Sequence, residues 1–102
     1  MAEVIWTEPA VADLEAITGY IALDKPDAAR RLARSVFNRV EQLAVFPLSG
    51  GKPRELTGTP YRQLVLPPLK IFYRLSDKKA YVVYVMRSER RFRFDAVRER
   101  EP

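Results

Sequence analysis

The stretch VMRSERRFRFDAVRER, residues 85 to 100, begins as an apolar strand and becomes a run of arginines. A guanidinium group stays charged at neutral pH and forms paired hydrogen bonds to carboxylates and phosphates, so a cluster of them suits an acidic protein or a nucleic acid. The other interpretation is a solvated tail, and residues 95 to 102 fit a frayed helix at the end of the domain. The arginines of this stretch are Arg87, Arg90, Arg91, Arg93, Arg98 and Arg100.

Two absent residue types restrict the chemistry open to this chain. It contains no Cys and no His, so it lacks a thiolate nucleophile, thiolate and imidazole metal ligands, and the side chain that most readily exchanges a proton near neutral pH. These absences exclude a Ser–His–Asp triad and a zinc hydrolase with imidazole ligands. Any catalysis would depend on Arg, Lys, Tyr, Ser, Asp or Glu, and we predict neither a metal site nor a cofactor.

Charge is distributed unevenly along the 102 residues. Residues 1 to 53 contain 6 Lys and Arg against 7 Asp and Glu, whereas residues 54 to 102 contain 12 against 6. A basic half on a small domain predicts an anionic partner, either nucleic acid or an acidic protein segment. The length predicts a single domain, and the lack of Cys, of a signal-like start and of a long apolar run predicts a cytoplasmic protein.

The first half of the chain has the apolar spacing of helices. Thr7 and Glu8 can cap a helix in which Pro9 occupies the first turn. A second helix, with an apolar residue at every third or fourth position, is predicted to begin at Asp24–Asp27, with Asp24 as its cap and Pro26 in its first turn, and to end near Phe46, before Pro47. The turn between the two helices is short, which predicts an antiparallel helix hairpin.

The second half has the pattern of strands, and together the two halves predict an α+β fold. The helix hairpin should pack on a curved, mainly antiparallel sheet of three to four strands. The last of these strands is apolar on both faces, which predicts a central position in the sheet. The predicted strands are residues 2 to 6, 61 to 66, 69 to 75 and 80 to 86.

Alternation along LKIFYRL predicts which side chains face away from the helices. Lys70, Phe72 and Arg74 share one side, which we expect to form an open concave face. An anion-binding groove with arginines at its margins would follow. The alternative is that these side chains only confer solubility and protect strand edges. The predicted margin residues are Arg54, Arg62, Arg74, Arg87 and Arg90.

Several segments, taken in order, resemble the RelE/ParE superfamily of bacterial toxins from type II toxin–antitoxin modules. These segments are VIWTEPAVADLEAITGYIA, LAVFPLSGGKPRELTG, YRQLVL, LKIFYRL and YVVYVMRSERRF, and they cover nearly the whole chain. The Phe-Pro-x-x-Gly and Arg-Glu-Leu elements followed by Tyr-Arg are most similar to the ParE branch. The resemblance implies a sheet covered by a helix hairpin and an antitoxin partner.

Two activities are implied by this resemblance. RelE-type toxins cut mRNA on the ribosome with Lys and Arg side chains and with a Tyr or His near the carboxyl terminus. ParE-type toxins trap DNA gyrase on cleaved DNA and are not nucleases. This chain has Phe92 or Phe94 where the nuclease pattern has Tyr, and Arg87 where many relatives have His, which favours the ParE activity.

We therefore predict a gyrase-inhibiting toxin that a cognate antitoxin neutralises by laying an acidic and apolar segment across the arginine groove in a hetero-oligomer. The alternatives are a ribosome-dependent endoribonuclease using Lys70, Arg74, Arg87 and Arg90, and a degenerate toxin that only binds its antitoxin and DNA. The residues predicted to bind target and antitoxin are Arg54, Arg62, Arg74, Arg87, Arg90, Arg91 and Arg93.

Overall fold

The computed structural model describes residues 1–90 and 94–100. A strand leads into two helices, three further strands follow, and a short helix comes last. Within this described part of the chain, no helix is both long enough and apolar enough to cross a membrane. The elements are β1 (Glu3–Trp6), α1 (Glu8–Ala22), α2 (Pro26–Glu41), β2 (Tyr61–Leu66), β3 (Leu69–Ser76), β4 (Lys79–Arg87) and α3 (Phe94–Arg98).

The four strands form one sheet in the order β1-β4-β3-β2. β1 pairs in parallel with β4, and the other two pairings are antiparallel. The prediction of an α+β fold with a helix hairpin on a mainly antiparallel sheet is confirmed, and β4 is interior as its apolar sequence indicated. β2 forms the far edge and turns into β3 through the cis Pro67–Pro68 peptide.

α1 begins as the sequence predicted, but α2 differs at both ends. The residue before α2 is Lys25, which makes no side-chain capping hydrogen bond, so the predicted Asp24 cap is wrong. The Thr7 hydroxyl accepts a hydrogen bond from the Ala10 N–H at 3.4 Å and so caps α1, with Pro9 in the first turn. The regular part of α2 stops at Glu41. A 3-10 turn over Gln42–Ala44 carries the chain on, and the Phe46 N–H still donates to the Gln42 carbonyl at 2.8 Å.

Apolar side chains fill both faces of the sheet. The larger core lies between the sheet and the helix hairpin and contains Leu14, Val40, Ile71 and Val82. A second cluster lies on the opposite face. We call it the second core; its buried members are Leu56, Tyr61, Phe72, Val83, Met86 and Val97.

The second core corrects the prediction of an open concave face with Phe72 between Lys70 and Arg74. Phe72 is only 1 % exposed and belongs to one cluster with Leu56 and Val97. Those two residues come from the 3-10 turn at Arg54–Leu56 and from α3. Segments outside the sheet therefore cover this face, and one of them follows the arginine run.

Tyr73 fixes the loop that connects the helices to the sheet. Its buried hydroxyl donates to the Pro47 carbonyl at 2.7 Å and accepts from the Gly50 N–H at 2.9 Å. Burial raises the pKa of Tyr73 above its usual value, against the opposing effects of the Gly50 N–H and of the nearby Arg62 and Arg39 charges. The neutral phenol thus holds both ends of the Pro47–Gly50 turn.

Replacing Gly50 with alanine is expected to lower the free energy of unfolding by about 2–4 kcal/mol, because there is no room for a methyl group. A Cβ there would lie 2.5 Å from the Tyr73 ring and hydroxyl and 2.9 Å from the Gln63 carbonyl oxygen. Gly51→Ala is the matched control, since a Cβ at Gly51 meets nothing within 4 Å. Urea denaturation of both variants tests this, and equal stabilities would contradict the tight packing at Gly50.

Candidate arginine-bearing surface

Arg87 and Arg90 lie where β4 ends, beside α1. With Asp13, Ile17 and Tyr84 they line a cleft of about 190 Å³. Arg87 is half-buried and Arg90 is exposed. The cleft therefore presents two guanidinium groups at its mouth. We call Arg87, Arg90 and this cleft the arginine surface.

Arg87 already holds a carboxylate on the arginine surface. Its Nε donates to Glu89 Oε1 at 2.6 Å, and the side chains of Arg87 and Glu89 are 38 % and 64 % exposed. The hydrogen bond from Arg87 is the main reason that the pKa of Glu89 is lowered from its ordinary value. Because the pair is exposed, an acidic group of a partner could replace Glu89 without disturbing buried structure.

Behind the cleft, Asp13 and Arg100 form a partly buried ion pair that joins α1 to the end of the described chain. Arg100 donates through both Nη atoms to the Asp13 carboxylate, with Nη2 3.0 Å from Oδ1. Its guanidinium also lies 3.8 Å from the centre of the Tyr84 ring. The hydrogen bond to Asp13 is the main cause of the raised pKa of Arg100, against the opposing effect of burial. We call Asp13, Tyr84 and Arg100 the clasp.

The clasp completes an edge of the sheet that β1 leaves uncovered. β1 pairs with β4 only as far as Val82, whose carbonyl accepts from the Thr7 N–H at 3.1 Å. Beyond this point the Val83 carbonyl accepts from Arg100 at 3.2 Å, and the Val85 N–H donates to Asp13 at 3.0 Å. Side chains thus replace a missing strand and satisfy backbone groups that would otherwise be left unpaired.

Sequence reasoning did not identify Asp13 or Arg100 as a pair, although α1 carried a signal. Asp13 occupies the same helical stripe as the apolar residues Ala10, Leu14 and Ile17. A carboxylate in a buried stripe requires a cation or several N–H donors. The partner could not be found from sequence, because Arg100 is separated from Asp13 by almost the entire chain.

Of the other predicted site residues, Arg62 could face either side of the sheet on the sequence alone, and the structure places it on the helix side. The Arg62 guanidinium donates to the Gly50 carbonyl at 2.9 Å, on the helix side of the sheet beside Tyr73. This residue supports the loop and does not line the predicted groove. Arg54 is exposed on its 3-10 turn.

Arg74 and Lys70 lie on the second face, along β3. Arg74 is opposite Tyr81 and stacks over its ring at 5.1 Å. Since β4 runs from Tyr81 to Arg87 at about 3.3 Å per residue, Arg74 is on the order of 20 Å from Arg87. Lys70 is half-buried and opposite Met86. The structure therefore does not bring the four residues predicted for a nuclease site into one cluster.

Two predicted residues, Arg91 and Arg93, lie outside the described residues, as does Phe92. The predicted frayed tail, residues 95 to 102, lies within the described residues as far as Arg100. Residues Phe94–Arg98 form α3, and Val97 is fully buried in the second core. Among the described residues, no three Asp or Glu side chains come close enough to hold a metal ion.

A family model described as the ParE toxin of the type II toxin–antitoxin system parDE matches residues 4–92. The chain belongs to this ParE toxin family. Toxin RelE2 of Caulobacter vibrioides is 37 % identical over 90 residues, which is 88 % of this chain and 99 % of that toxin. The toxin fold also resembles a solved chain of the chromosomal ParDE toxin–antitoxin system from P. aeruginosa, with a TM-score of 0.74 and 27 % identity over 87 % of this chain and 98 % of the other.

The family match covers only part of the clasp. Asp13 lies inside the matched residues 4–92, whereas Val97 and Arg100 lie beyond them. The arginine surface, with Arg87 and Arg90, is within the match. In this toxin α3 packs into the second core through Val97, and Arg100, just after α3, pairs with Asp13 on α1.

Proposed function

We propose that this toxin inhibits DNA gyrase by binding at the enzyme–DNA interface, and that it carries out no chemical step of its own. The arginine surface supports this proposal most directly. Two guanidinium groups stand together at the end of β4, exposed enough to pair with carboxylates of a protein or phosphates of cleaved DNA. Such contacts would hold the covalent gyrase–DNA intermediate open.

The geometry of the cleft favours binding over catalysis. Its volume of about 190 Å³ is below the roughly 300 Å³ at which small-molecule sites usually begin. The carboxylate that lines it, Asp13, already accepts from Arg100 and from the Val85 N–H. Arg74, which a nuclease site would require, faces Tyr81 at the other end of the strand. We infer that the surface recognises a macromolecule by its charge.

One observation favours the alternative, a ribosome-dependent endoribonuclease of the RelE type. Tyr84 lines the same cleft as Arg87 and Arg90 and is half-buried. A phenol that shares a cleft with two arginines has the residue types needed to move a proton and to stabilise a phosphorane. Against this, the Tyr84 ring is stacked by Arg100, which fixes it in the clasp.

Induction of the toxin in cells without antitoxin distinguishes these activities. Gyrase inhibition predicts filamentation and a DNA-damage response while protein synthesis continues. An endoribonuclease predicts an immediate stop in the incorporation of labelled amino acids, with no DNA damage. Normal growth at a verified level of intact protein would instead support a degenerate toxin that only binds its partner. Co-expression of the antitoxin should restore growth in the first two cases.

A further inference from the structure

A second candidate binding surface lies at the opposite end of the sheet from the arginine surface. A depression of about 470 Å³ opens between the start of β1, the end of the 3-10 turn after α2, and the hairpin that joins β3 to β4. Ala44, Val45, Pro47 and Leu75 supply its apolar wall. The depression is more than twice as large as the cleft beside Arg87 and lies within the size range of binding sites.

Large apolar side chains are exposed around this depression. Val45 lines it and is 57 % exposed, and the nearby Phe46 and Leu48 are 63 % and 65 % exposed. Three such residues within four positions of one loop are unusual, since exposed apolar side chains are usually scattered singly. We call the depression and these three residues the loop patch. A patch of this kind marks a surface that a partner covers.

The charge at the rim indicates what the partner carries. Lys78 and Lys79 line the depression on the hairpin side, with Asp77 as the single acidic residue among its lining. A basic rim around an apolar centre is complementary to a segment with apolar side chains flanked by carboxylates. The same basic rim disfavours binding of a second copy of this chain. That copy also has a net charge of +5, and its own Lys78 and Lys79 would be brought against those of the first.

We propose that the loop patch binds an apolar and acidic segment of the antitoxin. This rests on the antitoxin partner of the toxin family and is independent of gyrase as the target. The loop patch and the arginine surface lie at opposite ends of β4, on the order of 25 Å apart at about 3.3 Å per residue. The antitoxin would then have its apolar anchor away from the surface that recognises the target.

Val45→Asp is the first test variant, because it places a charge in the apolar wall at an exposed position that tolerates polarity. The probe is the purified product of the adjoining reading frame that restores growth to toxin-expressing cells. We expect isothermal titration to show at least about a tenfold loss of affinity, as for a charged group buried at an interface centre. Val65→Asp is the matched control, since Val65 is also a valine with 57 % exposure, on β2, and it should bind normally.

The basic rim is tested separately with Lys78→Asn. Lys78 has a φ of 62°, a conformation that asparagine accepts, so this change removes the charge without straining the turn. We expect a loss of about threefold or more at low salt that disappears at high salt. Lys25→Asn removes an exposed charge elsewhere and should have no effect on the affinity.

The outcomes separate this proposal from the proposed gyrase activity. If the wild-type toxin makes gyrase convert plasmid to linear DNA, the Val45→Asp variant should do the same. An equimolar amount of antitoxin should prevent this cleavage with the wild type but not with the variant. Unchanged antitoxin affinity of Val45→Asp would overturn the proposal. The proposal would also be overturned if light scattering showed a dimeric wild type and a monomeric Val45→Asp variant with the same antitoxin affinity. The loop patch would then be the interface between two copies of this chain.

Discussion

Reversing the charges of Arg87 and Arg90 to glutamate is expected to abolish growth inhibition by the toxin. Both side chains stand at the mouth of the cleft at the end of β4. Carboxylates at these positions would repel the acidic groups and phosphates that the guanidinium groups attract, and each reversed contact at an interface costs several kcal/mol. We expect at least about a hundredfold more protein to be needed for the same effect, measured as colony formation against toxin level.

The matched control reverses Arg31 and Arg34 on α2, which are exposed and change the net charge by the same amount. This control variant should remain toxic, because its charges lie on the helix face that points away from the sheet. Circular dichroism on both proteins verifies that they fold. If both variants lose toxicity equally, net charge rather than the arginine surface determines the effect. If neither does, Arg87 and Arg90 are not part of the inhibitory site.

Replacing Asp13 with alanine is expected to produce the largest loss of stability from a single charged residue in the described chain. The change leaves the Arg100 guanidinium and the Val85 N–H without their acceptor in a partly buried position. The side chains of the pair are only 17 % and 23 % exposed. Loss of one partner of such a pair, together with a backbone hydrogen bond, costs about 2–3 kcal/mol.

Glu15→Ala is the control for this change, since it removes an exposed carboxylate from the same helix and should alter stability by less than about 0.5 kcal/mol. A double-mutant cycle of Asp13→Ala with Arg100→Met then isolates the pair. We expect a coupling of about 1–2 kcal/mol in urea unfolding. A cycle with no coupling, or equal stabilities of the two alanine variants, would show that the clasp does not hold the described end of the chain.

The architecture was predictable because apolar spacing determines which side of each element is buried. The stripe on α2 and the two-sided apolar β4 place the hairpin over the sheet and β4 inside it. The Thr7 cap and Pro9 predicted the start of α1 from local hydrogen bonding alone. These features depend on residues close together in sequence, where spacing carries the information.

The faces of the strands were less predictable, because one bulge changes the alternation. β4 shifts register opposite Phe72 and Tyr73, so that Val83 and Tyr84 both contribute to the second core. Strict alternation therefore fails at the strand that carries the candidate site. It could not show that a turn at Leu56 and a helix at Val97 cover the face predicted to be open.

The positions of the predicted site residues could be anticipated only in part. The sequence identified Arg87 and Arg90, and the structure brings them to one cleft. It also suggested Arg62 and Arg74, but the structure places both far from Arg87, at the other end of the sheet. Arg62 lies on the helix side of the sheet and Arg74 lies on the opposite face. Asp13 and Arg100 were missed as a pair, since a contact between the first helix and the last described residue has no local pattern in the sequence.

Gyrase inhibition is tested most directly by incubating the purified toxin with gyrase, supercoiled plasmid and ATP, followed by detergent and protease treatment. We predict linear DNA that increases with the amount of toxin, little or none with the Arg87→Glu, Arg90→Glu variant, and the wild-type level with the Arg31→Glu, Arg34→Glu variant. Plasmid that remains uncut and normally supercoiled at a large excess of wild-type toxin would contradict gyrase inhibition. In that case the cleft with Tyr84, Arg87 and Arg90 should be tested on ribosome-bound mRNA.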